Sequence, residues 1–262
     1  MGGSGRHGRH GGNRRTEVER AMLLTAYITV VVATGGIAMW RLGAPDPTVG
    51  ALSLLFWFLA NLLGEVLWLP APKGRGYLSM ANAANFATLI LLSASSAVCV
   101  TAGAGLFADV LFRKRKWYQA LFNLAACAVT VTAASAVFRG LGGASANIDA
   151  LLSPLNAVPL LVAAITYFML NTWLIAGVVA LHSNQPVWTV WRTSFAFGYE
   201  MVGAVVLKLL GYLFAILFLT WGYMSAFVAV IATYFIRDAY IRYVQQTQSK
   251  EPEAPSKEEK AA

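Results

Sequence analysis

Three carboxylates stand inside otherwise apolar runs: Glu65, Asp109 and Glu200. A carboxylate in hydrocarbon is costly, and it ordinarily faces a bundle interior or a water-filled cavity. At 1.5 Å of helix per residue, all three fall within roughly 10 Å of the same boundary. Asn82, Asn85 and Asn123 project to the same layer. The spacing predicts a polar layer open to the cytoplasm, lined by five helices and able to hold a ligand. The alternative reading of the same residues is a set of hydrogen bonds that fix helix packing. Asp109 leans toward packing, because Arg113 lies four residues on and satisfies it as an i,i+4 pair. Lys208 lies deeper, near mid-membrane. Glu200 is eight residues away, about 12 Å along a helix axis, so the two are not a direct ion pair. Lys208 is either a counter-ion for an anionic ligand or a side chain that snorkels outward along its stem. Asn61 and Asn171 are candidates for the same central depth.

Catalytic chemistry finds no support. There is no G-x-x-x-x-G-K-[ST] loop and no H-E-x-x-H or G-x-S-x-G motif in the chain. His182 is the one histidine outside the N-terminal tail. His7 and His10, in a glycine-rich tail, make a weak metal pair. Cys99 and Cys127 sit in apolar runs with neither metal nor redox spacing, as small packing residues do. The reading is a non-enzyme with no catalytic residue, no metal and no cofactor.

The elements that must position these residues follow from composition. Of 262 residues, 58% are hydrophobic and 12% charged. Soluble domains carry about 25% charged residues, so the long uncharged runs point to the bilayer as solvent. The formal net charge of +8 sits between apolar runs. There it sets topology and meets anionic lipid headgroups, and no recognition motif accompanies it that would imply nucleic acid.

The predicted fold is all-α: a polytopic transmembrane helix bundle of about eight segments with both termini cytoplasmic. Residues 1–20 form a basic, disordered tail, 21–243 the transmembrane domain, and 244–262 a disordered charged tail. The first spans are 21–40 and 48–70, the latter closed by Pro70. The stretch 78–112 would be about 52 Å long as one helix, well over the bilayer core. It must turn, near Ser93-Ala94-Ser95-Ser96, into two short helices or a hairpin that does not fully cross. Spans at 117–138 and 156–181 follow, separated by a loop over 139–155 that Gly140, Gly142 and Gly143 open. The segment 185–194 reads as interfacial, since Trp188 and Trp191 flank Arg192. The last region, 195–236, needs a turn near Thr220-Trp221-Gly222. Gly103-Ala104-Gly105 permits close helix approach.

The positive-inside rule supports an even number of spans. The inner loops hold Lys73, Arg75, Arg113, Lys114, Arg115, Lys116 and Arg192, and the outer loops only Arg41 and Arg139. The cluster Arg113, Lys114, Arg115 and Lys116, followed by Trp117 and Tyr118, is an interface anchor facing lipid headgroups and a docking surface for a cytosolic or membrane protein partner.

The segment from Phe107 to Asn123, FADVLFRKRKWYQALFN, resembles a pattern in the membrane-embedded N-terminal modules of bacterial HD-GYP and GGDEF signalling proteins. In those modules a helix ending in Gly-Asp is followed by arginines, Pro-Trp-Tyr and Leu-Phe-Asn. Tyr167 to Ser194, with Asn171 and VWTVWRTS, resembles a later part, so the likeness spans about 50–243. Ala108 and Lys116 stand where the usual Gly and Pro would be, and no output domain follows. The resemblance implies a sensory bundle in a bacterial inner membrane and supplies no catalytic residues. The leading expectation is a stand-alone membrane sensor signalling through partners. A substrate-binding membrane subunit of a transporter and a structural assembly subunit are the alternatives.

Overall fold

The structure, a computed structural model, describes residues 9–70, 77–145, 147–196 and 199–249. Lys73, Arg75, His7 and the side chains of His10 and Glu200 lie outside the described residues. Ten α-helices carry the described chain: α1 (Arg9–Leu42), α2 (Ala51–Val66), α3 (Ala81–Leu91), α4 (Ala94–Phe107), α5 (Trp117–Gly140), α6 (Ile148–Leu152), α7 (Ala157–Ser183), α8 (Val187–Trp191), α9 (Tyr199–Trp221) and α10 (Ser225–Ser249). A small antiparallel hairpin, β1 (Trp68–Pro70) and β2 (Tyr77–Ser79), joins α2 to α3 with Trp68 opposite Ser79.

Among the described residues five runs are long and apolar enough to cross a membrane: Val18–Leu42, Ala94–Phe112, Trp117–Gly140, Pro154–Ser183 and Met201–Ala239. The last folds back on itself. Gly222 takes φ +57 in a 3-10 turn between α9 and α10, at the place the length argument requires. Ser53 at the start of α2 meets Tyr223 at that turn, oxygen to oxygen at 3.1 Å. The stretch 78–112 also turns as expected. Leu92 leaves the helix in an extended conformation, and α4 begins two residues later. At eleven residues, α3 is about 16 Å long and spans only part of a bilayer. Nine of those residues are buried, so α3 is the centre of the bundle rather than a lipid-facing wall.

Several expectations need correction. α1 runs from Arg9, inside the stretch expected as the N-terminal tail. Likewise α10 runs to Ser249, past the expected start of the C-terminal tail. The second span ends at Val66, and Pro70 closes β1 instead of a helix. The loop 139–155 contains α6, capped where Asn147 Oδ1 accepts from the Ala150 N–H at 2.8 Å. Asn156 ties this segment down, donating to Ala144 O at 2.6 Å and accepting from Ala144 N at 3.0 Å. At the same end, Asp46 N donates to Ser96 Oγ at 3.0 Å. The Thr48 hydroxyl and amide bind the Asp46 carboxylate and hold its pKa below the usual range.

Close helix approach does not occur at Gly103 and Gly105. A side chain at Gly105 would meet nothing within 4 Å, and one at Gly103 only Phe58 at 3.7 Å. The tight crossings lie elsewhere. A Cβ at Gly35 would sit 2.6 Å from Ala125 Cα, one at Gly64 2.5 Å from Ala81 Cα, and one at Gly211 2.4 Å from Ala83 O. These glycines bring α1 onto α5, α2 onto α3, and α9 onto α3 with backbones in contact.

Gly64→Ala forces two backbones apart and should cost ~1–3 kcal/mol, read as a lower unfolding midpoint in detergent. Gly36→Ala, where a Cβ meets nothing, should leave the midpoint unchanged.

Candidate functional site

After α4 the chain widens into a π turn at Ala108–Phe112, in which Arg113 N bonds Ala108 O at 3.0 Å. Widened turns of this kind commonly mark functional positions. This one buries Asp109 to 1% exposure. Arg113 Nη1 binds Asp109 Oδ1 at 2.8 Å, Arg115 Nε approaches the same oxygen at 3.3 Å, and Asn123 Nδ2 of α5 donates to Oδ2 at 2.6 Å. Arg113 Nη2 reaches across to α2, where it binds the Glu65 carboxylate and the Glu65 carbonyl, the latter at 2.9 Å. Burial pulls the Arg113 pKa down. Glu65 and Asp109 together outweigh that, so the guanidinium is held above its ordinary value.

The basic cluster therefore divides. Arg113 and Arg115 turn inward to the carboxylates, while Lys114 and Lys116 are exposed. The division is built into the backbone, since Lys114 adopts a left-handed φ of +49. Arg115 nonetheless stays 42% exposed, so Arg113, at 13%, is the one member of the cluster drawn out of the surface.

Beside this network lies a cavity of about 500 Å³. Glu65, Asn82, Asn85, Asp109, Asn123, Asn171 and Lys208 all line it. Five of them are the inner layer expected from depth, apart from Glu200, whose side chain lies outside the described residues, and Asn171 and Lys208, expected at mid-membrane, join the same space. Asn82 Nδ2 donates to Ser79 O at 3.2 Å, where the chain enters α3. Asn85 Nδ2 donates to the Tyr167 hydroxyl of α7 at 3.1 Å. Lys208 of α9 does not snorkel. Its Nζ lies 3.3 Å from the centroid of the Tyr167 ring and 5.3 Å from that of Phe86. It is buried and has no hydrogen-bond acceptor among the described residues. Asn61 belongs elsewhere: it is fully buried and donates to Trp57 O at 2.7 Å and to Thr88 Oγ1 at 2.9 Å, pinning α2 to α3.

The segment 185–194 does more than lie at an interface. Trp191 is buried and donates through Nε1 to Thr172 Oγ1 at 3.0 Å, and it stacks on Trp173 and Trp188. This docking sets Val190, Ser194 and Phe195 in the cavity wall. Tyr167 and Thr172 were missed as site residues. Their signal was a hydroxyl within an apolar run, which needs a partner once buried. Cys99 and Cys127 are free thiols, and Cys127 donates weakly to Thr101 Oγ1 at 3.7 Å in the cavity lining.

Among the described residues the charged lining holds three basic side chains, Arg113, Arg115 and Lys208, and two carboxylates. The two arginines are engaged by the carboxylates, and Lys208 has no hydrogen-bond acceptor among the described residues. A family model, MASE9, matches residues 80–243, more than half of the chain. The chain belongs to the MASE9 family of membrane-associated sensor domains. The MASE9 match runs from the start of α3 into α10 and takes in the described cavity residues from Asn82 to Lys208. It supports the coarser part of the expected likeness, a membrane sensor module. No curated protein and no solved structure matches the chain.

Arg113→Met leaves two carboxylates without their shared cation. It should lower stability by about 3–5 kcal/mol, measured by thermal unfolding in detergent. Arg113→Lys keeps the charge but loses the two-way fork, and its midpoint should fall between the two.

Proposed function

We propose that this MASE9 chain is a membrane sensor whose central cavity binds a small anionic molecule and passes its occupancy to a protein partner. One observation carries the reading: Lys208 lines the cavity, and its Nζ is buried without a hydrogen-bond acceptor among the described residues. An ammonium at that depth needs a counter-charge, carbonyls or water, and a ligand anion supplies the first. Asn171 lines the same space and offers an amide to orient it. The Asp109 network is the other half of the device. Arg113 and Arg115 touch both the cavity and the loop that displays Lys114 and Lys116. An anion drawing on either arginine would shift that loop, because a ligand biases a protein only through contacts that differ between two states. The partner class favoured by the family resemblance is a signalling protein of the HD-GYP or GGDEF kind.

The same reading gives eight segments in a bacterial inner membrane with both ends in the cytoplasm. The basic residues of the Arg113–Lys116 loop and Arg192 lie at the cavity end, and Arg139 at the other. In a background with Cys99 and Cys127 replaced by Ala, Lys116→Cys should react with a membrane-impermeant maleimide only from the cytoplasmic side. Ala144→Cys should react only from outside, and the reverse pattern would invert the topology.

Native mass spectrometry of protein gently extracted from its own membrane should show a bound acidic small molecule. Asn171→Leu should reduce its occupancy several-fold with unfolding unchanged. A protein that carries no small molecule but a stoichiometric ATPase would replace the sensor reading with transport.

A further inference from the structure

A second cavity adjoins the first. α9 packs on α3 and α7 packs on α5, but α7 and α9 scarcely touch each other. The gap between them is an apolar groove of about 510 Å³. On α9 it is lined by Met201, Val205 and Leu209, at helical spacing on one stripe, and on α7 by Leu161, Ala164 and Ile165. All but Ala164 are exposed apolar side chains, so the groove opens to the surface that hydrocarbon covers. Among the described residues Lys208 is the one charged group lining it. Lys208, Ala204 and Phe168 line both spaces, so the two adjoin at the Lys208 side chain.

A lysine on a lipid-facing groove ordinarily runs its stem toward the interface. Lys208 instead holds its Nζ over the Tyr167 ring at 3.3 Å. A cation over an aromatic face is stabilised without a hydrogen-bond acceptor, so the N–H donors that point away from the ring remain to bind an oxyanion. A two-chain phospholipid keeps its headgroup at the membrane surface. A carboxylate on a single chain is small enough to turn inward between two loosely packed helices, leaving its tail in the groove.

On these grounds we propose that the ligand is a single-chain lipophilic acid entering sideways from the bilayer, its carboxylate on Lys208 and its tail between α7 and α9. The proposal rests on the anion-binding reading of the central cavity and names the chemical class of the ligand. It also makes the groove a binding site and the α7–α9 gap the route of entry.

The test uses the full chain in lipid nanodiscs and a long-chain fatty acid bearing a mid-chain diazirine. Irradiation should place the label on α7 and α9 within the groove. Unlabelled fatty acid should compete, and the fatty alcohol of equal length should not. Lys208→Met should weaken binding about tenfold or more, with Lys208→Arg retaining most of it. Ala164→Trp, which fills the groove without lining the central cavity, should also weaken it. Equal competition by the alcohol together with unchanged binding by Lys208→Met would overturn the pairing with Lys208. Tight binding of succinate with Ala164→Trp neutral would overturn the tail while leaving an anion-binding cavity. Binding of neither the fatty acid nor succinate would overturn the cavity reading as well. Circular dichroism of each variant separates loss of binding from loss of fold.

Discussion

A buried carboxylate near the edge of a membrane must be neutralised where it stands, and the Asp109 network is how this chain does it. Its oxygens are held by Arg113, Arg115 and Asn123, and Arg113 also holds Glu65. One guanidinium thus joins α2 to the π turn after α4, and Asn123 adds α5. The attraction is strong in low dielectric, but so is the desolvation of each charge. Such a network adds little net stability over an apolar core. Its effect is geometric: Arg113 must lie within reach of Glu65 and Asp109 at once, which ties the end of α2 to the π turn.

That arrangement accounts for the cavity. Apolar helices in lipid have no hydrophobic force drawing them together, so contact depends on close packing and polar bonds. Glycine crossings supply close packing at α1–α5, α2–α3 and α3–α9. Around Asp109 the widened π turn and two arginine side chains occupy the space where helices would otherwise meet. Between α7 and α9 neither device is present, and the helices stand apart. The polar cavity and the apolar groove are therefore two places where packing stops, one on either side of Lys208.

Much of this was legible in the residues. Length alone required the turn in 78–112, and helix spacing alone paired Asp109 with Arg113. Counting depth from the ends of the apolar runs gathered Glu65, Asn82, Asn85, Asp109 and Asn123, because rise along a helix is nearly constant. What depth cannot give is rotation about each axis or the neighbour faced. Asn61 and Asn171 share a depth, yet one is sealed into the α2–α3 contact and the other lines the cavity. Arg113 reaching Glu65, 48 positions away, and Trp191 docking on Thr172 depend on tertiary approach. Gly103 and Gly105 look like packing glycines and are not, because the tight crossings fall where a partner backbone happens to arrive. The β1–β2 hairpin was hidden for a different reason: two three-residue strands carry no period to detect.

The backbone at Lys114 links the buried network to the surface. A non-glycine residue in the left-handed region is uncommon and costs about 1–3 kcal/mol unless its surroundings impose it. Here the surroundings are backbone: Arg115 N donates to Asp109 O at 2.9 Å, so Lys114 is the left-handed cap that closes the widened helix end. The same cap sets Arg113 and Arg115 on either side of it, both within reach of the Asp109 carboxylate.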